Sequence, residues 1–416
     1  MEVTIYLYGL TLGTLYERDG VISFEYKQEF INSGMNISPI KLPFNTETYT
    51  NNDDRYFNTL AGVFFDTLPD KFGTKVIERY YEKKGMIAKD LSILQKLIFI
   101  GNRGMGALEY KPSENILNSA DAIDPLEIRD MYESSKKVIK GDLEQSLEEL
   151  IRFSGSGASA GGARAKAVIG WNKKTNQIIS GVTDIPYGYE HWLVKFDNYD
   201  DNKQSSDFTK LEYLYMSMAK ECLINVPELH LFKDMDLTHF MIKRFDRDGN
   251  NKIHMHSLAS MTHINFNIPM HFSYDKALRV VWLITKDKRD IQELYRRCVF
   301  NVVARNQDDH AKNTSFMMDK NGVWSLSPAY DITYANGQHY TKKHQMSIVG
   351  KMNHFKYEDL LKLAEVSDIK KNEAKKIIKT IVEVVSKFRS KAQALNIRKD
   401  LIDMVEGDLR IDIEDR

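Results

Sequence analysis

The side chains best suited to chemistry lie in one short polar segment, Asn306-Gln307-Asp308-Asp309-His310-Ala311-Lys312-Asn313. Asn313 follows Asp308 by five positions, and Asp331 follows Asn313 by eighteen. In a phosphotransferase, the first carboxylate of such a set accepts the proton of an attacking hydroxyl, while the amide oxygen and second carboxylate hold Mg²⁺ against the phosphates of ATP. We therefore predict Asp308 as the catalytic base and Asn313 and Asp331 as metal ligands. Because the pattern is short, an ordinary polar surface loop is the alternative.

Three neighbours of this base also carry functional groups. Asp309 lies only four positions before Asn313, so the spacing favours Asp308 as the base. Lys312 stands where a loop lysine would neutralise the transferring γ-phosphate, which predicts a catalytic role. We expect His310 to orient the loop at the nucleotide site, and a base in a hydrolase is the alternative for this residue.

Lys195 is a lysine within an otherwise apolar predicted strand. Burying an unpaired ammonium costs free energy, so we expect it to bind ATP phosphates, steadied by Glu212 on the following helix. A lysine at a sheet edge is the alternative. Lys166 is a second phosphate candidate with weaker support. Phe245 is predicted to cover the adenine base, although Arg244-Phe245-Asp246-Arg247 fits a strand-end salt-bridge cluster equally well.

A run of small residues, Ser154-Gly155-Ser156-Gly157-Ala158-Ser159-Ala160-Gly161-Gly162-Ala163, precedes Lys166. Glycine lets backbone amides approach a phosphate chain closely. Ala163 and Arg164 stand where a Walker A loop requires Lys and Ser or Thr, so a P-loop fold is not expected. A flexible linker is the alternative. The residues predicted to contact the phosphates are Ser159, Gly161, Gly162 and Ala163.

Composition limits the class of protein. The 416 residues include 58 basic and 58 acidic side chains, which disfavours a broad electrostatic contact with nucleic acid or an anionic membrane. The two cysteines, Cys222 and Cys298, lie in apolar helical patterns, which indicates buried thiols and a reducing compartment. No apolar run approaches the length of a transmembrane helix. We expect a cytoplasmic protein.

The pattern of elements predicts four regions and an α+β, two-lobed protein-kinase-like fold. Residues 1–110 form an N-terminal α/β subdomain with a small antiparallel sheet, helices over 56–68, 72–81 and 91–99, and a return strand. Residues 111–141 form a linker and a connecting helix. Residues 142–250 form the kinase-like N-lobe with the nucleotide loop. Residues 251–416 are predicted to form an all-helical C-terminal lobe that contains the catalytic loop.

The motifs together resemble a known family, the HipA-like serine/threonine kinases, which are toxins of bacterial toxin–antitoxin modules. The resemblance spans nearly the whole chain. It rests on the ordered segments Tyr6-Leu7-Tyr8-Gly9, Phe65-Asp66-Thr67-Leu68-Pro69-Asp70, Gly104-Met105-Gly106-Ala107-Leu108, Ser159-Ala160-Gly161-Gly162-Ala163-Arg164-Ala165-Lys166, Lys195, Arg244-Phe245-Asp246-Arg247, Asp308-Asp309-His310-Ala311-Lys312-Asn313 and Tyr330-Asp331.

The resemblance implies ATP and Mg²⁺ as cofactors and a protein as substrate, glutamyl-tRNA synthetase in the best-known case. It implies autophosphorylation on a loop serine, with Ser159 at the matching position and Ser154 and Ser156 as alternatives. Negative charge there would oppose the triphosphate. It also implies a HipB-like helix-turn-helix antitoxin as partner, with operator DNA reached mainly through that antitoxin.

Two departures from the family pattern concern the loop sequence Gly-Gly-Ala-Arg-Ala-Lys and Lys243, which stands where an acidic residue often precedes Arg244. Three other functions remain open on the sequence alone. The chain could bind nucleotide and an antitoxin without useful catalysis, or phosphorylate a small molecule. A metal hydrolase is disfavoured because no second histidine cluster accompanies Asp308, Asp309 and His310.

Overall fold

In the computed structural model of the protein, the described residues are 1–51, 55–114, 116, 123–140, 147–154, 166–198, 205–337 and 339–413. Most of the predicted nucleotide loop, residues 155–165, lies outside these ranges, together with its residues Ser156, Ser159, Gly161, Gly162 and Ala163. Ser154 is the last residue of a helix.

The N-terminal domain is built on an antiparallel sheet in the order β3-β2-β1-β4. Alternate residues of β1, Val3, Ile5 and Leu7, are fully buried, as expected of a strand with one core face. Its strands are β1 (Glu2–Leu7), β2 (Leu10–Arg18), β3 (Val21–Tyr26) and β4 (Leu108–Lys111), and its helices are α1 (Gln28–Asn32), α2 (Gly62–Phe65), α3 (Lys71–Lys83) and α4 (Ile93–Ile100).

The helix predicted over residues 56–68 is wrong in extent. The chain forms a short 3₁₀ turn, Arg55–Phe57, and then the single turn of α2. Asn58 and Thr59 separate them with φ of 49° and 63°, a left-handed backbone that ends a right-handed helix. The apolar spacing of this stretch therefore reflects burial of successive turns, not one continuous helix.

The kinase-like N-lobe contains a five-stranded antiparallel sheet in the order β6-β5-β7-β9-β8. One face packs on α7 and the other on α3, α5 and α6, so its central strands are buried on both sides. The strands are β5 (Lys166–Asn172), β6 (Gln177–Ser180), β7 (Glu190–Lys195), β8 (Leu229–Asp234) and β9 (Leu237–Lys243); the helices are α5 (Ile128–Lys140), α6 (Leu147–Ser154) and α7 (Phe208–Glu221).

The C-terminal lobe is mainly helical, but the prediction of an all-helical lobe is wrong. A small hairpin and a three-stranded sheet, β12-β13-β14, occur within it. The helices are α8 (Leu258–Met261), α9 (Tyr274–Thr285), α10 (Lys288–Val303), α11 (Tyr357–Val366), α12 (Lys371–Val385), α13 (Phe388–Ala394) and α14 (Lys399–Asp408); the strands are β10 (Arg247–Asp248), β11 (Asn251–Lys252), β12 (His254–Ser257), β13 (Ser315–Met318) and β14 (Trp324–Leu326). The sequence shows no strand here because β13 and β14, with four and three residues, are too short to display a period of two.

A fully buried carboxylate, Asp246, fastens the N-terminal domain to the end of the N-lobe sheet. Arg244 donates two hydrogen bonds to it, at 2.9 and 2.7 Å, and Arg247 donates another at 2.7 Å. The backbone N–H of Gly106 donates a fourth at 2.8 Å, and Arg247 also donates to the carbonyl of Gly104. Burial alone would raise the pKa of Asp246, but the two arginines outweigh it and hold the pKa below its ordinary value.

A second carboxylate, Asp66, fastens the same domain to the C-terminal lobe. It accepts hydrogen bonds from His256 Nδ1 at 2.8 Å, from the backbone and hydroxyl of Ser257, and from Ser260 Oγ at 2.7 Å. Ser257 is also the N-cap of α8. The N-terminal domain is therefore bound through charged hydrogen bonds to both lobes. Among the described residues, no helix is both long and apolar enough to cross a bilayer.

The Asp246→Asn variant is expected to lose about 3–5 kcal/mol of stability at neutral pH, because two buried arginines lose their counter-charge. The stabilisation from a carboxylate with a lowered pKa is present above its unfolded pKa and is lost as pH falls through the folded value. The difference from the wild type should therefore shrink as pH falls below about 4. Urea unfolding at several pH values measures both effects.

The exposed Asp248, two positions further on, supplies the control. Asp248→Asn should stay within about 0.5 kcal/mol of the wild type. A similar loss in both variants would contradict the role given to Asp246.

Candidate active site

Lys195 is the centre of the site. Its Nζ lies 2.5 Å from Glu212 Oε1 and 2.5 Å from Asp331 Oδ1, and the lysine and glutamate side chains are almost fully buried. Side chains alternate along β7, so Leu193 and Lys195 share the face that packs on α7, where Glu212 lies. Burial alone would lower the pKa of Lys195, but Asp331 and Glu212 outweigh it and raise the pKa. Lys195 is therefore a cation.

A second lysine lies beside the first. Lys166 and Lys195 are directly opposite each other in the antiparallel pairing of β5 and β7, so their side chains leave the same face at the same end of the sheet. Like charges in such a pair repel, and each ammonium has its own anion. Lys166 Nζ lies 2.7 Å from Asp70 Oδ2, on the N-cap residue of α3. The sheet thus presents two cations where the predicted nucleotide loop joins β5.

The loop of residues 306–313 is held in place by Asp309, which the spacing disfavours as the base. Asp309 is buried and accepts hydrogen bonds from Tyr274 OH at 2.9 Å, His344 Nδ1 at 2.7 Å and the backbone N–H of Gln345 at 2.7 Å. Next to it, Gln307 donates to the carbonyl of Thr341. The Asp309 carboxylate is therefore used to stabilise the loop, and Asp308 is the neighbouring carboxylate that remains available as a proton acceptor.

Asp308 has few partners. Its side chain is 29% exposed, its Oδ1 has no hydrogen-bond partner, and His310 Nε2 lies 3.5 Å from that atom. Tyr340 OH donates to its Oδ2 at 3.4 Å. Burial raises the pKa of Asp308 above its ordinary value; His310 opposes this shift, while Asp331 adds to it. A carboxylate with a raised pKa and a free oxygen is a suitable proton acceptor.

Asn313 and Asp331 have the donors that Mg²⁺ prefers. Asn313 Nδ2 donates to the Asp308 carbonyl at 3.0 Å, which directs its Oδ1 away, and that buried oxygen has no hydrogen-bond partner. Asn313 and Asp331 line one small cavity. Burial alone would raise the pKa of Asp331, but Lys195 outweighs it and the pKa lies below its ordinary value. One amide and one carboxylate fit a magnesium site completed by phosphates and water.

Asp331 also has an unusual backbone. Its φ is 57°, in the left-handed region that non-glycine residues seldom adopt. The preceding Tyr330 donates to the Lys312 carbonyl at 2.7 Å and pairs with Ser315 Oγ at 2.6 Å. These bonds fix the chain direction before Asp331, so its carboxylate meets Lys195.

A largely apolar cavity adjoins these groups. The rings of Phe245 and Tyr330 lie 5.7 Å apart at 30°, and both line it. Leu193, Ile242 and Lys312 are also on its wall. Apolar side chains and aromatic rings of this kind are the usual lining of a site for a flat, apolar ligand group. Lys312 lies with its Nζ 5.5 Å from the ring centre of Phe266.

The structure therefore brings together Lys195, Glu212, Asp308, Asn313 and Asp331, with Lys166, Phe245, His310 and Lys312 around them. The contribution of the N-terminal domain was missed. Asp66 and Thr67 line the apolar cavity, and Asp70 binds Lys166. The only signal was their clustering in Asp66-Thr67-Leu68-Pro69-Asp70. Tyr340 beside Asp308 had no signal in the sequence.

The fold and these contacts define a two-lobed, kinase-like protein. A model of the HipA-like C-terminal domain matches residues 158–389, and a model of the HipA N-terminal domain matches residues 3–111. The chain belongs to the HipA-like family.

Known relatives agree with this class. HipA of Shewanella oneidensis MR-1, solved in a toxin–antitoxin complex with HipB and operator DNA, superposes with a TM-score of 0.67 over 97% of this chain and 94% of that one, at 15% identity. A protein of Sinorhizobium fredii named "Putative kinase Y4dM" is 29% identical over 220 residues, 48% of this chain. A Haemophilus influenzae protein named "Putative kinase" is 29% identical over 134 residues, 29% of this chain. The chain covers 51% and 39% of these two relatives.

The Lys195→Met variant, free of nucleotide and metal, is expected to lose about 3–5 kcal/mol of stability, because the buried Glu212 and the partly buried Asp331 lose the ammonium that contacts both of them. One of them then acquires a raised pKa, which makes the folded variant less stable as pH rises above about 4. Urea unfolding between acidic and neutral pH measures this loss.

Lys173 gives a matched control. It also contacts two glutamates, Glu190 and Glu228, each at 2.7 Å, but its side chain is 36% exposed. Lys173→Met should cost about 1 kcal/mol or less. Equal losses in the two variants would show that burial of the Lys195 cluster has no special effect.

Proposed function

We propose that the protein is a Mg²⁺-ATP-dependent serine/threonine protein kinase that acts as the growth-inhibiting toxin of a toxin–antitoxin module. The observation that carries the proposal is the contact of Lys195 with both Glu212 and Asp331, beside a loop that holds Asp308 and Asn313. A kinase needs this combination, because the lysine positions phosphates while the aspartate and asparagine hold the metal.

In the proposed reaction, the hydroxyl oxygen of the acceptor forms a bond to the γ-phosphorus of ATP. The bond from that phosphorus to the β–γ bridging oxygen breaks, ADP leaves, and the hydroxyl proton passes to Asp308. Lys195 and Lys166 hold the phosphates, and Lys312 neutralises charge on the transferring group. Mg²⁺, held by Asn313 and Asp331, supplies further charge neutralisation when bound.

The raised pKa of Asp308 fits the proton acceptor. Burial and the nearby Asp331 disfavour its charged form, so protonation during transfer removes an unfavourable charge. Glu212 acts on the reaction through Lys195, which it keeps in place. Phe245 and Tyr330 would enclose the adenine base.

The biological role is proposed on the family membership. The substrate would be a protein, with glutamyl-tRNA synthetase as one candidate. The partner would be a HipB-like helix-turn-helix antitoxin, through which the kinase would reach operator DNA. Autophosphorylation would fall on Ser159, or on Ser154 or Ser156, and the added negative charge beside the phosphate site would switch the enzyme off.

The Asp308→Asn variant is expected to lose about 10²–10⁴-fold in phosphoryl transfer, because the proton acceptor is removed. Its stability should equal or exceed that of the wild type, since burial penalises the charged carboxylate. Transfer of labelled phosphate from ATP to the protein itself and to lysate proteins measures the rate, and thermal unfolding measures stability.

Asp309→Asn is the matched comparison, because the neighbouring carboxylate accepts three hydrogen bonds in the core. This variant should lose about 1–3 kcal/mol of stability. If Asp308→Asn transferred phosphate at the wild-type rate, Asp308 would not be the base. If the wild type bound Mg²⁺-ATP but labelled no acceptor, the protein would be a nucleotide-binding regulator.

The Asn313→Ala variant should need roughly 10- to 100-fold more Mg²⁺ for half-maximal transfer, the range seen when support for a metal site is lost. The amide oxygen of Asn313 is buried and has no hydrogen-bond partner, so the variant removes a candidate metal ligand together with the one hydrogen bond from Nδ2 to the Asp308 carbonyl. Magnesium titration at fixed ATP measures the change. An unaltered magnesium requirement would remove Asn313 from the metal site.

A further inference from the structure

Two exposed segments flank the catalytic loop. In residues 265–271, the ring of Phe266 packs 4.7 Å from that of His310, and in residues 339–343, Tyr340 donates to the base Asp308. The backbone N–H of Met270 donates to the carbonyl of Gln345 at 3.1 Å, so the two segments are joined. We name them together the flanking surface.

Two buried glutamines hold the backbone of the flanking surface in place. Gln345 Nε2 donates to the carbonyls of Tyr340 and Lys343 at 2.5 and 2.8 Å, and Gln307 Nε2 donates to that of Thr341 at 2.6 Å. Gln307 and Gln345 are buried. The outer side chains are therefore presented at a fixed position relative to Asp308.

The exposed side chains of the flanking surface are of two kinds, apolar and positively charged. Ile268, Met270 and Tyr340 are 51%, 52% and 58% exposed. Lys342 and Lys343 are exposed as well, and among the described residues neither ammonium has an ion-pair partner. Lys342 is two residues from Tyr340, so their Cα atoms are less than about 8 Å apart. The surface beside the base is thus apolar in one part and positively charged in the other.

We propose that the flanking surface binds the acceptor protein, and that it selects a serine or threonine in a segment with acidic residues and an apolar side chain. Carboxylates of the acceptor would pair with Lys342 and Lys343, and its apolar side chain would cover Ile268 and Met270. Exposed apolar groups give no gain against a sugar-phosphate chain, so a protein fits this surface better than a nucleic acid does. The inference names the substrate class of the proposed kinase and rests on that function.

Charge reversal tests the basic part. With dephosphorylated casein as acidic acceptor, Lys342→Glu/Lys343→Glu should raise the KM for casein by at least about tenfold, with kcat and the KM for ATP changed by less than about twofold. The wild type should prefer casein to histone H1, and the variant should reverse or abolish that preference. Lys375→Glu/Lys376→Glu, on exposed positions of α12, makes the same charge change elsewhere and should leave both acceptors unaffected.

A binding measurement separates this inference from the proposed function. Fluorescence anisotropy with a short labelled peptide, a central serine flanked by glutamate and leucine, needs no phosphoryl transfer. The wild type should bind it more tightly than the same peptide with lysine for glutamate, and Lys342→Glu/Lys343→Glu and Met270→Ser should each weaken that binding.

Three outcomes would overturn the inference. These are equal binding of the two peptides, an unchanged KM for casein in the charge-reversal variant, and displacement of the acidic peptide by single-stranded RNA at lower concentration than by unlabelled peptide. The last would assign the surface to nucleic acid. Peptide selectivity without labelling of any acceptor would uphold the surface and refute the kinase.

Discussion

The ion pairs of Lys195 are the interaction on which the site depends. One buried ammonium joins a strand of the N-lobe sheet, the helix α7 that follows it and the segment after the catalytic loop. Taking three charges out of water costs several kcal/mol for each, and only their close contact offsets that cost. This contact fixes the two lobes so that the residues proposed to bind phosphate lie next to the residues proposed to bind the metal. The left-handed backbone at Asp331 is retained because this contact holds it.

The sequence predicted groupings of residues that lie on consecutive elements or within one loop. Lys195 and Glu212 lie on a strand and on the helix that follows it, so strand alternation and helical spacing suffice to pair them. Asp308 and Asn313 lie within one loop, where spacing alone separates Asp308 from Asp309. The contacts that were missed join residues distant in sequence. Ser257 and Asp66 are 191 positions apart, and the pairing of Lys166 with Asp70 crosses between domains. Hydrophobic periodicity reports on local secondary structure, so it gives no signal for such contacts.

Errors in the predicted elements have a related cause. Residues 56–68 show helical spacing because successive turns of that stretch are buried, but two left-handed residues interrupt the helix. In the C-terminal lobe, β13 and β14 have only four and three residues, so the pairing of β13 with β12 and with β14 decides their conformation. The segment Arg244-Phe245-Asp246-Arg247 fitted both an adenine contact and a salt-bridge cluster. In the structure its charged side chains form the salt-bridge cluster, while Phe245 lines the cavity.

The attachment of the N-terminal domain has a consequence for motion. Asp70 contacts β5 in the N-lobe, Asp246 and Arg247 hold the Gly104 to Gly106 turn at the end of β9, and Asp66 contacts α8 in the C-terminal lobe. The N-terminal domain thus contacts both lobes, one on each side of the cleft. Many kinases open and close by rotating one lobe against the other. Here such a rotation would have to break buried, charged hydrogen bonds, so the carboxylates that attach the N-terminal domain also oppose movement of one lobe against the other.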